Sequence, residues 1–268
     1  MGTGRSGTAP EVGLAYGEPA ARWVLMATVL GSSLTFVDAT VVNIALPVIG
    51  EDLDAGLSAL TWTVNAYTLT LACLILLGGS LGDRLGRRRV FIVGVAWFAL
   101  ASMLCGLAPN IQMLVAARGL QGVGGALLTP GSLAILQASF RPADRGRAIG
   151  AWSGLSGIAG ATGPFIGGWL IGVTSWRWIF LINVPIGLIG VLMVNKYLPE
   201  WQRNEPRKLD LTGFLLAGVC FAGFVFGISV LTLPALPAAF GYGSMALGGI
   251  AGAVYWFHFR RTEYPILD

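Results

Sequence analysis

The chain has 268 residues, of which 55% are apolar and 11% charged, with a net charge of +4 and a mean hydropathy of +0.73. Soluble domains carry about 25% charged residues, so this chain is too poor in polar groups to coat a water-facing surface. A soluble enzyme, a nucleic-acid-binding domain and a disordered regulator are excluded, and the lipid bilayer is the solvent for most of the sequence.

Residues 1–22 are rich in Gly and Pro, lack the compact apolar core of a signal peptide, and read as a disordered cytoplasmic tail. Beyond them, runs of about 20 apolar residues, the length a membrane helix needs, recur between short polar breaks. Eight spans are predicted, near 23–49, 59–81, 90–107, 111–138, 148–172, 176–197, 211–233 and 238–259. A membrane barrel would alternate over segments of about ten residues, whereas VFIVGVAWFALASMLCGL is apolar throughout. The class is therefore all-α and polytopic.

Positive charge fixes the expected orientation, since cytoplasmic loops carry the excess of Lys and Arg. With the N-terminus inside, fifteen of the seventeen basic residues fall on the inner side, Arg177 falls outside and Arg118 lies within the membrane. For Arg141, Arg145 and Arg147, simple contact with anionic lipid is an equal alternative to any further role.

Asp38 in the first span and Arg118 in the fourth are ionisable groups inside lipid. Each costs about 2.5 to 3.5 kcal/mol at a helix centre, so each needs a partner, a watery cavity or a task. At about 1.5 Å per residue, Asp38 lies roughly 16 Å and Arg118 roughly 10 Å from the outer ends of their spans. The two are expected to be coupled across one polar cavity. The bland alternatives are a helix–helix hydrogen bond from Asp38 to Asn43 or a threonine, and a clamp of Arg118 on backbone carbonyls. In the fifth span, Gly154, Gly157, Gly160 and Gly163 recur every third residue, ahead of Pro164, Gly167 and Gly168. They predict a glycine face for close packing, either a static seam or a compliant helix, with Pro164 permitting a bend.

No phosphate-binding GxxxxGK[ST] loop is present, and the glycines from Gly119 to Gly125 lie inside a span rather than on a strand-to-helix turn. Cys73, Cys105 and Cys220 read as small buried hydrophobes, and the single His258 as an interfacial residue. No nucleophile and base pair suggests an enzyme. Anything moved by this protein must be driven by an ion gradient or by its own gradient.

Several motifs resemble the major facilitator superfamily, and within it the drug:proton antiporters with fourteen spans. GGSLGDRLGRRRVF, residues 78–91, is similar to the cytoplasmic loop motif, carried here by Gly79, Asp83, Arg84, Gly86, Arg87 and Arg88. VDATVVNIALP resembles the first-span motif, with Asp38, Thr40, Asn43 and Pro47. LVAARGLQGVGGA resembles the fourth-span motif, with Arg118, Gln121, Gly122 and Gly124. The stretch with Gly150, Gly163, Pro164, Gly167 and Gly168 resembles the antiporter motif of the fifth span, apart from Ala159 where a glycine is usual. WRWIFLINVPIG, residues 176–187, is similar to the group's entrance to the sixth span.

The resemblance implies a six-helix N-terminal bundle over 23–197, made of two inverted three-helix repeats. It implies a cytoplasmic linker at 198–210, two additional transmembrane helices within 211–259 and a cytoplasmic end at 260–268. It also implies a transporter of the cell membrane that exports hydrophobic or amphipathic small molecules or drugs against entering protons and uses no cofactor. Asp38 and Arg118 would couple the proton, and substrate would sit in an apolar cavity lined by spans one, two, four and five. Asp83, Arg84, Arg87 and Arg88 would latch one conformation, while Gly79 and Gly86 would allow close approach and a tight turn. The second bundle of the family is missing from this chain, so the alternative is a truncated or half-length subunit that needs a partner bundle or no longer transports.

Overall fold

The computed structural model describes residues 13–198, 210–232 and 237–261. The expected tail at 1–12, most of the linker at 198–210 and most of the end at 260–268 lie outside the described residues. Among the described residues nine helical segments follow in order: α1 Pro19–Asp52, α2 Leu57–Leu85, α3 Arg87–Gly106, α4 Ile111–Ser139, α5 Pro142–Val173, α6 Trp178–Leu181, α7 Asn183–Tyr197, α8 Leu211–Thr232 and α9 Ala238–Phe259. They correspond to the eight predicted spans, with the sixth interrupted at Ile182. The protein is an all-α polytopic membrane protein, a six-helix bundle followed by two further helices. Six segments, α1 to α4, the α6–α7 pair and α8, are long and apolar enough to cross a membrane. The glycine-rich α5 and α9 are outside that set because glycine adds length without hydropathy.

Local sequence sets the helix ends. Pro occupies the first turn of α1 and α5, where its missing N–H costs nothing. The Asn110 side chain caps α4 by accepting from the Met113 backbone N–H at 2.9 Å, and Gly86, at φ +98°, both ends α2 and starts α3. That positive φ is the tight turn expected of Gly86.

Within the bundle α2 and α3 pack on α4, α1 on α5, and α3 on α7. Lipid supplies no hydrophobic drive between helices, so contact depends on small residues that bring backbones together. A Cβ at Gly78 would overlap the Ala126 carbonyl, and one at Gly124 would sit 2.7 Å from the Phe98 nitrogen. At Gly79, where close approach was expected, a Cβ would meet Pro130 at an ordinary 3.7 Å. The close-approach position is therefore Gly78, one residue earlier and about 100° round the helix.

The glycines of α5 do not form one face. Gly160, Gly163 and Gly167 pack on Phe36, Thr40 and Val41 of α1, whereas Gly150, Gly154, Gly157 and Gly168 have nothing within 4 Å. A step of three falls short of the helical repeat of about 3.6, so Gly154 and Gly163 end up on opposite sides. Helix α5 runs unbroken through Pro164. Proline cannot donate to the carbonyl four residues back, which is Gly160, and the Thr40 hydroxyl of α1 serves that carbonyl instead at 3.0 Å.

The two apolar cores lie at opposite ends of the bundle. One gathers Val24, Phe91, Phe98 and Phe140, and the other Ile49, Leu114, Trp176 and Phe180. The first end is basic: the α2–α3 turn, the α4–α5 turn and the end of α7 meet there, as when Arg87 donates to the Ala134 carbonyl at 2.9 Å and Arg88 to that of Asn195 at 2.7 Å. At the far end Arg177 pairs with Asp52 at 2.7 Å.

Residues 13–18, expected as part of a disordered tail, are docked at the basic end. Leu14 donates to the Ser139 carbonyl at 2.8 Å and accepts from the Arg141 N–H at 3.2 Å. The Tyr16 N–H donates to Asp144 at 3.2 Å, and Arg147 stacks over the Tyr16 ring at 4.3 Å.

Helices α8 and α9 form a hairpin closed by glycines. It leans on α2 through Asn65, which donates to Ser229 at 3.0 Å, and through the Trp62 and Phe226 rings at 5.5 Å. His258 and Asp210 pair at 2.7 Å across its base.

Candidate functional site

The two charges expected inside the membrane meet. Arg118 Nη1 donates to Asp38 Oδ2 at 2.6 Å, and neither residue is more than 2% exposed. Gln121, one helical turn after Arg118, completes a triangle. Its Oε1 accepts from Arg118 Nη1 at 2.7 Å, and its Nε2 donates to Asp38 Oδ1 at 2.9 Å. Arg118 Nε also donates to the Thr63 carbonyl of α2 at 3.1 Å, while the Tyr67 ring covers its guanidinium face at 4.3 Å. Helices α1, α2 and α4 thus each contribute to one buried ion pair. Such a pair is stable only when the remaining donors and acceptors are also satisfied.

The network extends into α3 and the interrupted sixth span. Ser102 Oγ accepts from Gln121 Nε2 at 3.2 Å and from Asn183 Nδ2 at 2.9 Å, and donates to the Phe180 carbonyl at 2.9 Å. Cys105 Sγ lies 3.5 Å from Gln121 Oε1. Asn183 is the one amide of the WRWIFLINVPIG stretch, and a lone amide in an apolar run was the available signal for it. Nothing in the sequence marks Ser102, Thr63 or Tyr67, whose places depend on helix pairing.

The pair is coupled as expected, but it does not face an open cavity: the side chains of Tyr67, Cys105 and Phe180 close around it. A cavity of about 300 Å³ lined by Leu81, Leu85, Arg89, Val90, Val93 and Leu127 contains none of these residues. The alternative partner Asn43 instead donates to its own helix, at Ala39, at 2.8 Å. Arg118 does hold a backbone carbonyl, at Thr63, in addition to Asp38.

The other motif residues are dispersed. Thr40 sits on the α1–α5 seam, and Pro47 is an exposed residue of α1. Gly122 and Gly124 let α4 approach the backbones of Tyr67 and Phe98. In the loop motif, Arg87 Nε and Nη2 both donate to Asp83 Oδ1, at 3.1 and 2.9 Å. The Asp83 and Arg87 side chains are 56% and 28% exposed, and a pair so open to solvent contributes about 1 kcal/mol at most. Arg84 Nη2 is buried without a hydrogen-bond partner among the described residues. The expected set of Asp83, Arg84, Arg87 and Arg88 is therefore split between an ion pair and separate contacts to α4 and α7.

The sequence profile of the Major Facilitator Superfamily matches residues 28–259. The chain is 40% identical over 254 residues to the multidrug resistance protein Stp of Mycobacterium tuberculosis (strain ATCC 25618 / H37Rv), covering 91% of this chain and 46% of that protein. It is 39% identical over 236 residues to the tetracenomycin C resistance and export protein of Streptomyces glaucescens, covering 87% and 43%. Among solved structures, a peptide transporter POT in complex with sulfate gives a TM-score of 0.67 at 16% identity, covering 95% of this chain and 55% of that one. A bacterial homologue of the human lysosomal transporter Spinster, inward-facing and occupied, gives 0.62 at 21% identity, covering 92% and 63%. Those two share the fold. The chain spans about half the length of the curated relatives it matches.

Proposed function

The chain belongs to the major facilitator superfamily, and from that premise we propose that it takes part in proton-coupled antiport, exporting hydrophobic or amphipathic small molecules as protons enter. The observation that carries this reading is the buried Asp38–Arg118 pair. Asp38 is the carboxylate that can load and release a proton, and Arg118 is the cation whose approach or withdrawal favours release or loading. The proton gradient is the energy source, with no cofactor.

The basic end of the bundle faces the cytoplasm of a cell membrane, following the positive-inside rule. Residues 23–197 act as one transport bundle, 198–210 as its linker and 211–259 as an added helix pair. The open face of α5, with Gly150, Gly154, Gly157 and Gly168 bare, is where a second bundle, in further sequence or in a partner chain, completes a substrate cavity. Asp83, Arg87 and Arg88 hold one conformation at the cytoplasmic end, with Arg84 free to join them in another.

Everted vesicles from cells making the protein test this directly. Ethidium, an amphipathic cation, should release protons from acidified vesicles, and Asp38→Asn should abolish that release while Asp38→Glu keeps part of it. Proton release from the Asp38→Asn protein equal to that of the wild type would refute the assignment. The second reading, a subunit that serves a partner without transporting, rests on the same bare face of α5 and expects no ethidium-dependent release at all.

A further inference from the structure

The hydroxyl of Ser102 has one proton to give and two lone pairs to receive. All three are used, since it donates to the Phe180 carbonyl and accepts from Gln121 and Asn183. Arg118 can only donate, so the Gln121 atom facing it must be the carbonyl oxygen, which leaves the Gln121 amide N–H groups for Asp38 and Ser102. An ionised Asp38 only accepts, and it is met by two donors. The hydrogen bonds that join these residues are therefore all made in one polarity, the one belonging to charged Asp38.

A proton added at Asp38 Oδ1 breaks that polarity. The new O–H faces an N–H and needs an acceptor, which Gln121 provides by turning its amide over, a two-fold rotation about its last side-chain bond. Gln121 Oε1 then faces Ser102, whose single proton must leave the Phe180 carbonyl to meet it. Phe180 is the penultimate residue of α6, two residues before the interruption at Ile182. Gln121 Nε2 meanwhile turns toward Arg118, donor against donor, and loosens the guanidinium from the triangle.

We propose that Ser102 and Asn183 are positioning residues that read the protonation state of Asp38 through Gln121 and pass it to the break in the sixth span. In the charged state they hold the Phe180 carbonyl and stiffen the break; in the protonated state they release it. The ionisable groups around Asp38 are Arg118 from α4, Tyr67 from α2 and Cys105 from α3. Helices α5, α6 and α7 bring no charged side chain to the network among the described residues.

Hydrogen exchange measured by mass spectrometry on the full chain in lipid nanodiscs tests the relay. Asparagine at 38 imitates the protonated acid, because its amide can keep its oxygen on Arg118 only by pointing an N–H at Gln121. Asp38→Asn should raise exchange across 176–187 about fivefold, the effect of one ordinary hydrogen bond, and leave 238–259 unchanged as evidence of an intact fold. Ser102→Ala should give the fast break by itself, and Asp38→Asn should then add nothing. Asn183→Ala should reduce the response to Asp38→Asn. Ser102→Thr, which keeps the hydroxyl, should restore the full response. Unchanged exchange at 176–187 in Asp38→Asn, or the same fivefold step with Ser102→Ala present, would overturn the relay.

The inference rests on Asp38 being the proton carrier, yet the measurement involves no transport. A failed relay leaves the vesicle assay standing, and an Asp38→Asn protein that still releases protons sinks the antiport reading whatever the exchange data show.

Discussion

Removing either member of the buried pair should destabilise the bundle, and by unequal amounts. Arg118→Met keeps the length of the side chain but leaves the Asp38 carboxylate buried with Gln121 Nε2 as its one remaining donor. Stranding a buried charge in this way costs about 3 to 5 kcal/mol. Asp38→Asn instead strands the guanidinium, which retains the Thr63 carbonyl, the oxygen of the new amide and the face of Tyr67. A desolvated cation over an aromatic ring is worth about 2 kcal/mol, so Asp38→Asn should cost about 1 to 3 kcal/mol. The double variant Asp38→Leu with Arg118→Met removes both charges and should be more stable than Arg118→Met alone. Unfolding of the purified chain in mixed micelles of rising SDS fraction, followed by helical circular dichroism, gives all three values. Two single variants within about 1 kcal/mol of wild type, or a double variant no more stable than Arg118→Met alone, would mean that the pair contributes little and that the burial argument is wrong.

Two further outcomes follow from packing and backbone contacts. Gly124→Val should lose about 1 to 3 kcal/mol by overpacking against the Phe98 backbone, while Gly154→Ala, with nothing within 4 Å, should be neutral in the same titration. Leu14→Pro removes the N–H that reaches Ser139, and brief trypsin treatment should then cut several-fold faster at Arg145 and Arg147 than in wild type.

The helices were legible because lipid demands long apolar runs, and the charge pair because two ions inside such runs stand out at once. Gln121 came with the motif around Arg118. Ser102 was not legible, because a serine in an apolar helix costs too little to draw notice until Gln121 and Asn183 are seen converging on it. The glycines of α5 misled in a simple way: their spacing of three suggests a stripe, but three steps carry a helix half-way round to its other side. Thr40 and Pro164 belong to two separate motifs, and only the contact between α1 and α5 shows that the hydroxyl of one serves the carbonyl orphaned by the other. The docking of residues 13–18 was hidden because their partners come more than 120 residues later, and no local pattern encodes a contact of that reach.

That reach also sets an order of events during synthesis. Leu14 and Tyr16 are among the first described residues to be made, but Ser139, Arg141 and Asp144, which hold them, emerge only after four spans have been translated. Until then the backbone groups of Leu14 are hydrated. Their capture closes a loop of more than 120 residues at that end of the bundle, a contact whose chain entropy must be spent late. The short segment before α1 is thus well placed to seal the bundle only after α4 has inserted and α5 has begun.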